Sequence, residues 1–145
     1  MVVYILSQSA PLFPSVGHWE TTKVPMSFYQ GKSYVFKVKV NPVVNKTFEK
    51  GKKSKRIGVY NPVEVLNWFS KKGDQNGFRI KSASVKDIQK ERSYKGANPI
   101  THASAEIKGR LDVTDVKAFS AGVPRGIGNA SSKAFGFGLL LIKKI

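Results

Sequence analysis

From Lys32 onward the hydrophobic and polar positions alternate regularly. Tyr34, Phe36, Val38 and Val40 fall on one face of a predicted strand and Lys37 and Lys39 on the other, the period of a half-buried β-strand. A helix is predicted to start at Asn61-Pro62, because Asn accepts from the free amides of a first turn and Pro brings a preset φ. Val65, Leu66 and Phe69 make its apolar stripe, and Gly73 is its expected end. Phe78 to Gln89 then reads as a strand, Tyr94-Lys95-Gly96 as a turn, and Thr101 to Thr114 as a strand pairing back antiparallel. In the latter, Ala103, Ala105, Ile107, Leu111 and Val113 share one face; His102, Ser104, Glu106, Lys108 and Arg110 share the other. Asp115 caps a short predicted helix to about Ala121, limited by Gly122 and Pro124. Phe137 to Ile142 is an almost unbroken apolar run, the pattern of a central strand covered on both faces.

The order is β-α-β-β-α-β, which predicts an α+β, ferredoxin-like domain over residues 32–145, an arrangement shared by many RNA-binding domains. Ahead of it, strands are expected over residues 2–8 and from Trp19 to Tyr29, with Pro11, Pro14 and Gly17 between them. Two strands make a fragment, so residues 1–31 do not form a domain of their own. No internal repeat is visible.

Charge changes the picture most. The 145 residues hold 25 Lys and Arg against 9 Asp and Glu, a formal charge of +16, which repels itself unless an anionic partner offsets it. Nucleic acid is the leading partner. A membrane is disfavoured, since no apolar run approaches the roughly 20 residues of a spanning helix. Without cysteine there is no disulfide, thiol catalysis or Cys-ligated zinc. No signal peptide is evident, and a cytoplasmic protein is expected.

The basic residues fall into groups. Lys46, Lys50, Lys52, Lys53, Lys55 and Arg56 crowd a long connection between the first strand and the first helix, where a loop can track a phosphate backbone. Lys90, Arg92 and Lys95 gather with Tyr94 at the hairpin tip; Lys37, Lys39, Lys108 and Arg110 lie on polar strand faces. Arginine there can form bidentate contacts to phosphate or a guanine edge. Near the C-terminus, Gly126, Gly128, Gly136 and Gly138 bracket a loop flanked by Arg125 and Lys133. Glycines so spaced let backbone pass close to a phosphate or to another chain segment. A dinucleotide fingerprint would require a glycine at Ser131 and a strand leading into a helix, and neither holds; no P-loop is present.

Cleaving RNA without metal requires a base on the 2′-hydroxyl, an acid for the leaving oxygen and cations around the phosphate. Only His18 and His102 are available as imidazoles, each a weak catalytic candidate. The scattered acids form no metal-binding cluster, so neither metal nor cofactor is expected.

Several blocks resemble the CRISPR-associated CasE family of repeat-RNA endoribonucleases. They are Tyr4-Ile5-Leu6-Ser7-Gln8-Ser9-Ala10, Tyr34 to Pro42, Ile107-Lys108-Gly109-Arg110-Leu111-Asp112-Val113-Thr114-Asp115, and Gly126-Ile127-Gly128 followed by Ala134-Phe135-Gly136-Phe137-Gly138-Leu139-Leu140. The resemblance implies tandem ferredoxin-like domains that bind the hairpin repeat of CRISPR precursor RNA, cut it without metal and join the Cascade subunits. It also implies that residues 1–31 are the remainder of a first domain. The family's N-terminal catalytic histidine and tyrosine have no counterpart, so this chain alone is expected to bind rather than cut, unless that segment is supplied in trans. The loop from Gly128 to Gly136 is two residues longer than the family pattern. Two alternatives are a minimal nuclease using His18 or His102 and a general structured-RNA-binding module without nuclease activity.

Overall fold

The computed structural model describes residues 4–7, 9–10, 12–13, 15–24, 26–129, 133 and 135–145. The chain forms β1 (Ser33–Val40), β2 (Val43–Lys46), β3 (Lys55–Gly58), α1 (Pro62–Gln75), β4 (Phe78–Lys95), β5 (Asn98–Val113), α2 (Val116–Arg125) and β6 (Leu141–Lys144). The main sheet has the order β4-β5-β1-β6, with every neighbouring pair antiparallel. Without the small β2–β3 sheet, this is the ferredoxin-like topology expected from the alternation.

Alternation along β1 buries Tyr34, Phe36, Val38 and Val40 beneath the helices. The Asn61 side chain accepts from the amides of Val63 at 2.9 Å and Glu64 at 3.3 Å, starting α1 where Pro62 has no amide to lose. This helix sends Val65, Trp68 and Phe69 into the core, and the Phe69 ring lies 5.6 Å from Phe36 and 5.5 Å from Phe78. Asp115 accepts from the Ala118 amide at 3.1 Å to start α2, which contributes Phe119 and Val123. Phe119 meets Phe78 edge-on at 5.9 Å, so one aromatic cluster joins both helices to the sheet.

Several expectations are corrected. Val2, Val3 and Gln8 lie outside the described residues, and Tyr4 to Ser7 holds no strand; neither do the described residues from Trp19 to Tyr29. A strand requires a ladder partner, and the described residues of this arm have none: Leu12 is 100% exposed, and of these residues Met26 and Phe28 at its end pack on the core. Gly73 does not end α1. It lies inside the helix, where a Cβ would stand 2.7 Å from the Phe78 carbonyl, and the helix stops at Asn76 and left-handed Gly77. The long basic connection contains the β2–β3 hairpin, with Val43 opposite Gly58 and Lys46 opposite Lys55. The β4–β5 hairpin turns later than expected, at Gly96-Ala97, and carries register shifts between Ile80 and Ser82 and between Lys86 and Gln89. Pro124 and Gly122 do not stop α2, which runs to Arg125 with Gly122 against the Asn76 side chain. The C-terminal strand starts only at Leu141 and is an edge strand, paired with β1 alone.

Candidate nucleic-acid interface

The sheet face turned away from the helices carries Lys37 directly opposite Lys108, with Val35 opposite Arg110 beside them. Two ammonium groups at that spacing repel each other, and Glu106 relieves the conflict by reaching Lys37 at 3.2 Å and Lys108 at 3.3 Å. Lys39 pairs with Glu91 of β4 at 2.6 Å and stands 5.6 Å from the Phe137 ring centre. Three of the four strand-face cations therefore hold an internal anion, and Arg110 has no ion pair among the described residues.

Burial would raise the carboxyl pKa of Glu106, but hydrogen bonds and charge from Lys37 and Lys108 outweigh it and hold it below 4.5. Glu91 is lowered against burial by Lys39, with Gln89 and Ser104 assisting. A carboxyl lowered on folding stabilises the protein above its unfolded pKa and loses that effect as pH falls through the folded value. Glu106→Gln should therefore flatten the acid limb of a thermal-unfolding profile below about pH 4.5, by about 0.5 kcal/mol. An unchanged acid limb would remove Glu106 from the linkage.

Beyond the Val40–Ala105 pair, β5 outruns β1, and Asn41 continues the edge by donating its side-chain amide to the Ala103 carbonyl at 2.6 Å. A cleft of about 370 Å³ opens along this edge. Arg56 of β3, Lys95 of β4 and His102 of β5 line it, together with Tyr60 and Phe135. Two basic groups far apart in the chain thus meet at one place. Gly58 makes this possible: a Cβ there would lie 2.8 Å from the Ala103 Cβ and 2.9 Å from the Tyr60 hydroxyl. Lys90 stands over the Tyr60 ring at 5.6 Å, and Arg92 is exposed on the same hairpin. Lys52 pairs with Glu49 at 2.5 Å near the β2–β3 turn, while Lys53 and Lys55 are exposed.

The glycine segment does something the sequence left open. Ile127 donates to the Gly138 carbonyl at 2.8 Å, and Gly138 donates to the Lys39 carbonyl at 2.8 Å. The two glycine stretches clasp each other and fasten to the end of β1. Lys133 extends its stem over Gly126, and Arg125 turns its Nε back onto the Ala121 carbonyl at 3.1 Å. Gly128 faces Trp68, whereas among the described residues nothing lies within 4 Å of where a Gly136 Cβ would stand. Ala130, Ser131, Ser132 and Ala134 lie outside the described residues.

His18 is exposed, 3.1 Å from Glu20. His102 is not on an open polar face as the alternation implied. It is only 9% exposed, covered by Phe135 at 4.6 Å and Phe137 at 5.5 Å, and its Nε2 has no hydrogen-bond partner among the described residues. Among the described residues neither imidazole hydrogen-bonds a tyrosine or lysine. Nor do the described residues contain a group of three or more His, Cys, Asp or Glu that could hold a metal. Tyr60 and Phe135 were not among the expected site residues; an aromatic adjoining a basic stretch was the available signal.

The fold and this surface define a strongly cationic, ferredoxin-like α+β protein. The family model for CRISPR associated protein matches residues 1–144, and the chain belongs to that family. Among solved structures, it resembles Cas6e from Escherichia coli K-12 with TM-score 0.79 and 20% identity, over 96% of this chain and 75% of that one. It resembles Thermus thermophilus Cse3 bound to an RNA representing a pre-cleavage complex with TM-score 0.64 and 24% identity, over 81% of this chain and 56% of that one. The third, in E. coli Cascade bound to a PAM-containing dsDNA target, has TM-score 0.53 and 20% identity, over 85% of this chain and 66% of that one. The chain thus spans little more than half of the Cse3 chain. No curated protein matches it. Among the described residues no helix is long and apolar enough to cross a membrane.

Proposed function

We propose that this chain binds the stem-loop repeat of CRISPR precursor RNA as the RNA-holding part of a CasE-like, metal-independent endoribonuclease that supplies mature crRNA to Cascade in the cytoplasm. The observation that carries the reading is the meeting of Arg56 and Lys95 in one cleft, with Lys90 and Arg92 on the adjoining hairpin. Cations brought together from separate elements can hold a curved run of phosphates, and each neutralised phosphate releases counterions. Membership of the CRISPR-associated family supports the choice of RNA, as does a fold neighbour, Cse3, whose structure holds RNA.

Among the described residues neither imidazole hydrogen-bonds a tyrosine or lysine, which favours binding over cleavage by these residues. The test pairs competition with cleavage. A labelled CRISPR repeat hairpin is competed against unrelated stem-loops of equal length, and the same hairpin is incubated with the chain in EDTA. Preferential retention of the repeat without a cut is the expected result. Equal competition would leave a general RNA-binding module; a single cut lost on His18→Ala or His102→Ala would restore the minimal-nuclease reading.

A further inference from the structure

We infer that the cleft beside β5 is a subsite for one unpaired nucleotide flanking the stem of the bound RNA, its base stacked on Tyr60 and its phosphate held by Arg56 and Lys95. The inference rests on the RNA-binding reading and adds what that reading lacks, a place where a base leaves the helical stack. Its volume of about 370 Å³ suits a single small ligand, since pockets for such groups measure about 300–1,000 Å³. A duplex does not fit there, and the bases of a duplex keep their faces stacked on one another.

Aromatic rings recognise base faces, which only an unpaired nucleotide offers. Tyr60 keeps 39% of its surface exposed, and Gly58 supplies the room for its ring against the β5 edge. Cations on two sides supply the phosphate contact, because Arg56 and Lys95 come from different hairpins that both line the space. The wall contributes a third feature. His102 lines the cleft with Nε2 buried and, among the described residues, unpaired, although buried polar atoms ordinarily find partners. A nucleotide that shifts the covering Phe135 ring would bring acceptors and donors within its reach.

The experiment uses fluorescence anisotropy with two RNAs, a repeat-type stem-loop carrying short single-stranded tails at both ends and the same stem-loop made blunt. Tyr60→Ala should weaken binding of the tailed RNA by about ten- to a hundredfold and that of the blunt RNA, whose stem contacts remain, by less than about threefold. Tyr60→Phe, which keeps the ring, should bind both RNAs like the parent. Retained binding of the blunt RNA also shows that the alanine variant is folded. Equal loss on both RNAs, or no loss on either, overturns the subsite and leaves stem recognition standing. If the parent chain binds neither RNA, the RNA reading itself fails and the subsite falls with it.

Discussion

Gly138→Ala is expected to lower the unfolding free energy by about 3–4 kcal/mol, whereas Gly136→Ala, two positions earlier, should cost about 1 kcal/mol. Both glycines have positive φ, 90° and 84°, so an L-residue pays similar backbone strain at each. They differ in what surrounds them. A Cβ on Gly138 would stand 2.5 Å from the Ile127 carbonyl oxygen and 3.2 Å from its nitrogen, backbone atoms that cannot swing aside. Relief requires opening the Ile127–Gly138 bond, the Gly138–Lys39 bond, or both. At Gly136 no atom of the described residues lies within 4 Å of that position. Urea denaturation of the two variants measures the contrast, and equal losses would show that the clasp does not form. The difference matters for function because the clasp holds Phe137 next to His102 and brings the chain back to the end of β1.

Elements governed by local rules were legible in the sequence. The β1 alternation, the Asn61 and Asp115 caps and the antiparallel β4–β5 pair follow from residues close to one another in the chain. Errors arose where distant segments decide. The apolar run ending in Ile142 resembled a central strand, yet Phe137 and Leu140 are buried by packing, and the ladder begins only at Leu141 on the sheet edge. The β2–β3 hairpin was hidden because its strands are only four residues each and hold just three large apolar residues, Val43, Val44 and Ile57, too few to set a period. Period-2 reasoning put His102 in solvent with Lys108, because nothing near it in sequence announces that Phe135 and Phe137 cover that end of the sheet. The basic groups were visible as composition, but which of them meet was not. Arg56 and Lys95 share a cleft only because β3 and the end of the β4–β5 hairpin, distant in the chain, come together there.

Replacing Arg92 and Lys95 together with alanine is expected to weaken stem-loop binding by about 3 kcal/mol, on the order of a hundredfold. The two residues are separated by three positions along β4, so their side chains leave opposite faces of the hairpin ribbon. That placement suits a hairpin end set between two strands of phosphate, one cation turned to each side. A hairpin lying flat on RNA would use only one of them. Both lie in the outer half of the ribbon, where β5 has no main-sheet neighbour other than β4, which leaves the end free to enter a groove. In an A-form stem the deep groove is narrow, so the contact falls near the stem's end rather than along its length. Each lost phosphate contact should also reduce the slope of log K against log salt by about 1, giving a combined change of about 2. Lys37→Ala makes the necessary comparison. Its ammonium is held by Glu106, and its removal should change the slope less than either hairpin residue does. Titrations across a salt series separate the two cases, and a double variant whose slope matches the parent's would exclude the hairpin from the RNA contact.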